Sequence, residues 1–124
     1  MNQDEYYKSN AAGLGTMGKR DYERATALVK QVLDTRQNIV SYGNALDMGW
    51  NNLAPAFQNE INGKTKDKQE RLALAAKADK KMKESLEKLN KMKDELPFLE
   101  KEARFWLSTL SDKARKSVPG HDRV

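Results

Sequence analysis

From Leu72 to Ala114 the chain repeats apolar residues at alternating spacings of three and four, and that rhythm leaves few folds open. With Leu72 at heptad position a, the a and d positions are Leu72, Ala75, Asp79, Met82, Leu86, Leu89, Lys93, Leu96, Glu100, Ala103, Leu107, Leu110 and Ala114. Ten of these thirteen are apolar, against 38% hydrophobic residues in the whole chain, so composition does not account for the stripe. A stripe sustained over this many heptads belongs to a helix that buries one face against another helix. Glu84 with Lys88, and Glu87 with Lys91, add favourably oriented pairs at i, i+4. Pro97 falls inside the pattern, yet the heptad phase is the same on both sides of it. A turn has no reason to preserve phase. The expectation is one long helix over about 67–115, kinked at Pro97, with the alternative that residues 98–115 fold back as a third helix.

The first half supplies a second helix. Ala25, Val32, Ile39, Leu46 and Leu53 recur by sevens, which predicts a helix over about 19–53. Gly43 and Gly49 lower its propensity, and each also permits close approach of a neighbouring helix. Pro55 ends this helix and can open a short one over about 55–61. Asn62-Gly63 is a stop signal, and Asp67 with Glu70 reads as a capping pair for the next helix. No stretch alternates with the period of a strand. The fold class expected is therefore all-α, an antiparallel helical hairpin resembling a coiled-coil bundle. At 124 residues the chain makes one domain: a flexible Gly-rich arm over 1–18, a single helical domain over 19–115, and a disordered tail over 116–124 that breaks at Pro119-Gly120.

Two short motifs suggest phosphate chemistry and fail on context. Gly13-Leu14-Gly15-Thr16-Met17-Gly18 spells G-x-G-x-x-G, but a dinucleotide fingerprint follows a buried strand, and the polar residues before Gly13 cannot form one. Gly63-Lys64-Thr65 matches the end of a phosphate-binding loop, but the first glycine that loop needs is Gln58 here. Cysteine is absent, which removes disulfides and thiolate chemistry. The lone histidine, His121, sits in the tail. No residue set suggests catalysis, a metal, a cofactor or a small-molecule substrate. The longest apolar run, Leu72 to Ala76, is far too short for a bilayer, and the N-terminal residues lack a signal-peptide pattern. A cytoplasmic protein is expected.

What remains is a surface. A two-helix hairpin covers one stripe on each helix and leaves Trp50, Phe57, Phe98, Phe105 and Trp106 without an obvious home. The function expected is that of a non-enzymatic interaction or assembly protein: a scaffold, an adaptor or an occluding inhibitor. It would present Leu72, Met82, Leu86, Leu89, Leu96, Leu107 and Leu110, with Trp50 and Trp106, to copies of itself or to another helical protein. The net charge of +5 supports an alternative. Residues 64–124 hold seventeen Lys or Arg against eleven Asp or Glu, so Lys80, Lys81, Lys88 and Lys91 would contact the phosphates of a nucleic acid. Glu84, Glu87, Asp94 and Glu95 interrupt that basic surface, and no aromatic residues interleave to stack bases.

Overall fold

The structure, a computed structural model, describes the backbone of residues 16–124 and the side chains from Lys19 onward. The expected flexible arm therefore lies, up to residue 15, outside the described residues. The remainder is all-α, a helical hairpin with no strand among the described residues. Its helices are α1 (Thr16–Asn51), α2 (Pro55–Asn62), α3 (Lys68–Ala78), α4 (Lys80–Ser108) and α5 (Asp112–Ser117), followed by a single 3₁₀ turn at His121–Arg123. α1 opens three residues before the expected start at Lys19, so Gly18 is helical backbone rather than arm.

Local chemistry sets the breaks. Pro55 occupies the first turn of α2, where a missing N–H costs nothing, and Ala54 before it is extended. Gly63 closes α2 in right-handed geometry, its N–H reaching the Asn59 carbonyl at 3.0 Å. The expected Asp67–Glu70 capping pair does not form. The Thr65 hydroxyl instead links the two residues: it accepts from the Asp67 N–H at 3.2 Å and donates to Glu70 Oε2 at 2.5 Å, while no side chain caps the start of α3.

The expected long helix over 67–115 is divided twice. Asp79 is extended (φ −120°, ψ 116°), and its Oδ1 accepts the Met82 N–H at 2.9 Å, which caps the start of α4. α4 then runs through Pro97, so residues 98–108 continue the helix and do not fold back. Pro97 and its neighbour Phe98 are exposed, so the carbonyl that proline frees one turn earlier need not be buried. The second division follows Ser108. Ser111 caps α5 by accepting the Ala114 N–H at 3.2 Å.

The described residues group into two compact units. The first comprises the residues up to Arg36 together with Glu95–Val124; the second is Gln37–Asp94. In the first unit, Tyr22, Ala25, Leu28, Val29 and Val32 of α1 pack with Ala103 and Leu107 of α4 and with Val118. The two helices run antiparallel there, Arg24 lying beside Trp106 and Arg36 beside Glu100. In the second unit, Leu46 of α1 packs with Ile61, Leu72, Ala75, Ala76, Met82 and Leu89. The helices are antiparallel here too, with Tyr42 beside Lys88 and Gly49 against Met82.

The tail expected to be disordered is part of the first unit. Val118 is 1% exposed, and Val124 packs on the same core. Gly120 adopts a left-handed conformation (φ 78°), and a Cβ there would stand 2.6 Å from Leu33 Cδ1. Only glycine turns the chain this sharply against Leu33. The turn lets the Arg36 guanidinium reach both the Arg123 carbonyl and, at 3.2 Å, Glu100 Oε2.

Candidate interaction surface

The heptad seam is occupied within each unit. Leu72, Met82 and Leu89 belong to the core of the second unit, and Leu86 packs against it half-buried. Leu107 belongs to the core of the first unit, with Leu96 and Leu110 packed against it. These seven residues were expected to face a second chain; their neighbours are residues of this one. The three polar seam residues have separate explanations. Asp79 caps α4, Lys93 is exposed, and Glu100 accepts from Arg36 at 3.2 Å and Arg104 at 3.1 Å.

Most of the aromatics also have homes. Trp50 and Phe57 pack against the second core. The Trp50 ring lies 5.9 Å from the Arg71 guanidinium, and its carbonyl accepts from Gln58 Nε2 at 2.7 Å. Trp106 packs against the first core under Arg24 at 5.8 Å, a cation–π arrangement.

Phe98 and Phe105 are different. They are 75% and 58% exposed. Seven residues apart, they stand within about 20° of each other around α4, because each residue of a helix turns about 100°. By the same rotation Ala103 and Leu107, which fill the core, lie about 140° and 180° from Phe98. The phenylalanines thus mark the outer face of the helix, away from the hairpin seam. Phe105 and Trp106 meet in a T-shaped arrangement, with ring centroids 5.4 Å apart. Lys101 and Glu102 flank the pair, both exposed. The second unit exposes Val40 and Met48 at 57% and 64%, residues the sequence reading passed over. Met48 stands at an open groove of about 380 Å³ between α1 and α4, floored by Gly49 and Met82.

Lys80, Lys81, Lys88 and Lys91 are all exposed on the second unit's part of α4. Lys88 lies 5.8 Å from the Tyr42 ring. Glu84 and Glu87 are exposed among them, so the surface alternates in sign.

The tempting motifs have structural employment. Gly13 and Gly15 lie outside the described residues, while Thr16 to Gly18 open α1. Lys64 pairs with Glu60 at 3.6 Å, and the Thr65 hydroxyl accepts the Asp67 N–H just ahead of α3. His121 Nδ1 donates to the Val118 carbonyl at 3.0 Å and closes the tail turn. Among the described residues no three His, Cys, Asp or Glu side chains are grouped to hold a metal, and no helix is long and apolar enough to cross a membrane. No protein-family model matches the chain, and no curated protein or solved structure matches it either.

Proposed function

We propose that this chain is a non-enzymatic helical interaction or assembly protein that acts in a cytoplasmic setting and docks through the outer face of α4. The observation that carries the reading is the exposure of Phe98 and Phe105, 75% and 58%, on one face of a helix whose opposite face fills a core. Exposed large aromatics at one helical spacing are the anchors that helix-mediated contacts use. The role given to the seam residues passes to this face, since the seam is filled within the chain. The partner class remains a copy of itself or another helical protein.

A photoreactive side chain placed at position 98 of the full chain tests the reading in cells. The expected result is a discrete cross-linked product that is absent when the group is moved to exposed Lys30 of α1. Equal, diffuse labelling at both positions would overturn it.

The second reading, a nucleic-acid-binding accessory protein, is favoured by the exposure of Lys80, Lys81, Lys88 and Lys91 within one stretch of α4. That stretch is about 17 Å long at the rise of an α-helix. Labelled DNA or RNA titrated at near-physiological salt would then bind at micromolar concentrations or below, and charge reversal of the four lysines would abolish binding. Absence of binding even at low salt removes this reading.

A further inference from the structure

We infer that Asp79 is a hinge, and that opening it lets two copies of this chain exchange residues 80–124. The inference does not use the outer face of α4; it concerns how α4 reaches α1.

The break between α3 and α4 is one residue long, and the residues around it favour helix. Leu74 to Ala78 and Lys80 to Glu84 are all strong helix formers, with Asp79 the one exception. The heptad phase runs unbroken across it, from Leu72 and Ala75 to Met82 and Leu86. The helical ladder is nearly intact as well. The Asp79 N–H reaches the Ala75 carbonyl at 3.1 Å, and the Asp79 carbonyl accepts the Lys83 N–H at 2.9 Å. A continuous helix would also join the N–H groups of Lys80, Lys81 and Met82 to the carbonyls of Ala76, Lys77 and Ala78. The break forgoes those three bonds, and the Asp79 carboxylate replaces one of them by accepting the Met82 N–H at 2.9 Å. That carboxylate is the lock on the bent form.

What the bend gains is tertiary. It lets Leu72, Ala75 and Ala76 pack in one core with Leu46, Met82 and Leu89. A single chain with a straight α3–α4 helix loses those contacts. Two straight chains keep them, because α1–α3 of each can receive α4 and the tail of the other. Both cores are then rebuilt from the same residues, drawn from two copies. Each copy also gains the backbone bonds that the bend forgoes. Opposing the exchange are the entropy of association and the approach of Lys77 to Lys81 one turn on. Concentration and the Asp79 lock therefore select between the two forms.

Two substitutions push the hinge in opposite directions. Asp79→Ala removes the lock and raises helix propensity at both hinges of a dimer, so it should tighten dimerisation about 100-fold, roughly tenfold per hinge. Lys80→Pro should abolish the dimer. Asp79 already has the extended geometry (φ −120°, ψ 116°) that a following proline favours. Position 80 opens α4, where proline is tolerated, but in a straight helix the ring would strike the Ala76 carbonyl.

Sedimentation equilibrium of the full chain, refolded from guanidinium at about 0.01 to 1 mM, reads the dimer. The expected result is a minor wild-type dimer at the high end and a dominant Asp79→Ala dimer. Lys80→Pro, alone or with Asp79→Ala, should give none. The chain has no cysteine, so introduced pairs joined by a short bismaleimide report connectivity. Arg24→Cys with Glu102→Cys joins α1 to α4, where the native side chains meet at 3.7 Å, and should link two chains in the dimer. Asp47→Cys with Lys68→Cys joins α1 to α3, where they meet at 3.2 Å, and should link within one chain in both forms. A dimer whose 24–102 link stays within one chain overturns the exchange, as does a dimer lost on Phe98→Ser with Phe105→Ser, which would belong to the outer face. A dimer that survives Lys80→Pro overturns the hinge. Absence of a dimer from both wild type and Asp79→Ala overturns the inference as a whole. If Asp79→Ala does not fold, wild type against Lys80→Pro at the highest concentration decides alone.

Discussion

The second unit is closed by one continuous stretch, Gln37–Asp94, while the first is closed by residues drawn from the two ends of the described chain. In the second, α2 and α3 bring Ile61, Leu72, Ala75 and Ala76 onto Leu46 without leaving that stretch. In the first, the Tyr22 and Ser117 hydroxyls meet at 3.2 Å across 95 residues of sequence. Bringing distant residues together costs more loop entropy than bringing near ones together, although the cost grows slowly with length. The first unit also depends on a short C-terminal segment: one buried valine, one left-handed glycine and one arginine-bound carbonyl. The difference teaches where each unit is vulnerable. The second is held by helix faces alone, and the first by the faces of α1 and α4 together with a short tail in which single atoms matter.

The largest effect expected from that contrast is at Val118. Val118→Asp places an unpaired carboxylate where 1% of the side chain is exposed, and should destabilise the chain by about 3 kcal/mol or more. The midpoint of guanidinium unfolding measures it, and amide exchange should show Tyr22 to Val32 losing protection most. An unchanged midpoint would mean the tail contributes nothing to the first unit, and the contrast would collapse.

Gly120→Ala should come next, at about 1–3 kcal/mol. The backbone there has φ 78°, and the added Cβ would stand 2.6 Å from Leu33 Cδ1, so conformation and contact both oppose it. Replacing Leu33 by Ala in the same background should relieve the contact and leave the conformational part. Thermal melts of the two single variants and the double variant separate these, and full recovery in the double variant would show the backbone term to be negligible.

The smallest effect sharpens the picture of the second unit. Gly43 and Gly49 both lie inside α1, and alanine at either raises helix propensity by about 0.5–1 kcal/mol. A Cβ at Gly43 meets nothing within 4 Å, so Gly43→Ala should stabilise by that amount. A Cβ at Gly49 would stand 2.7 Å from Met82 Cγ, whose residue is 2% exposed, so Gly49→Ala should lose its gain to repacking and end net destabilising. Equal stabilisation by both would show that Gly49 is not where α1 and α4 approach closely.

Several of these features were legible beforehand and several were not. The unbroken heptad phase across Pro97 predicted that residues 98–108 continue the helix, and α4 does so. The interruption at Asp79 was hidden by the same heptad logic. An aspartate on a seam reads as a tolerated polar residue, whereas an extended aspartate with a free N–H three residues on is an N-cap. The tail was misread because Ser117 to Val124 has no helical period and contains Pro-Gly, a composition shared by frayed ends and tight turns. Its order comes from Leu33 and Arg36, which lie far away in sequence. As for the interaction surface, Phe98 and Phe105 were recognisable as aromatics without a home, but nothing in their spacing told them apart from Trp50 and Trp106, which are packed.

What the sequence determined by itself is that this chain is helical and that each long helix must bury a stripe. Periodicity is a local property, and an apolar stripe in water has one stable fate. Which helix fills that stripe was settled by packing, not by periodicity. A heptad repeat specifies that a helix will lie alongside without specifying which chain it comes from. Here α1 fills the seam of α4, and the exposed pair at Phe98 and Phe105 is what that choice leaves on the outside.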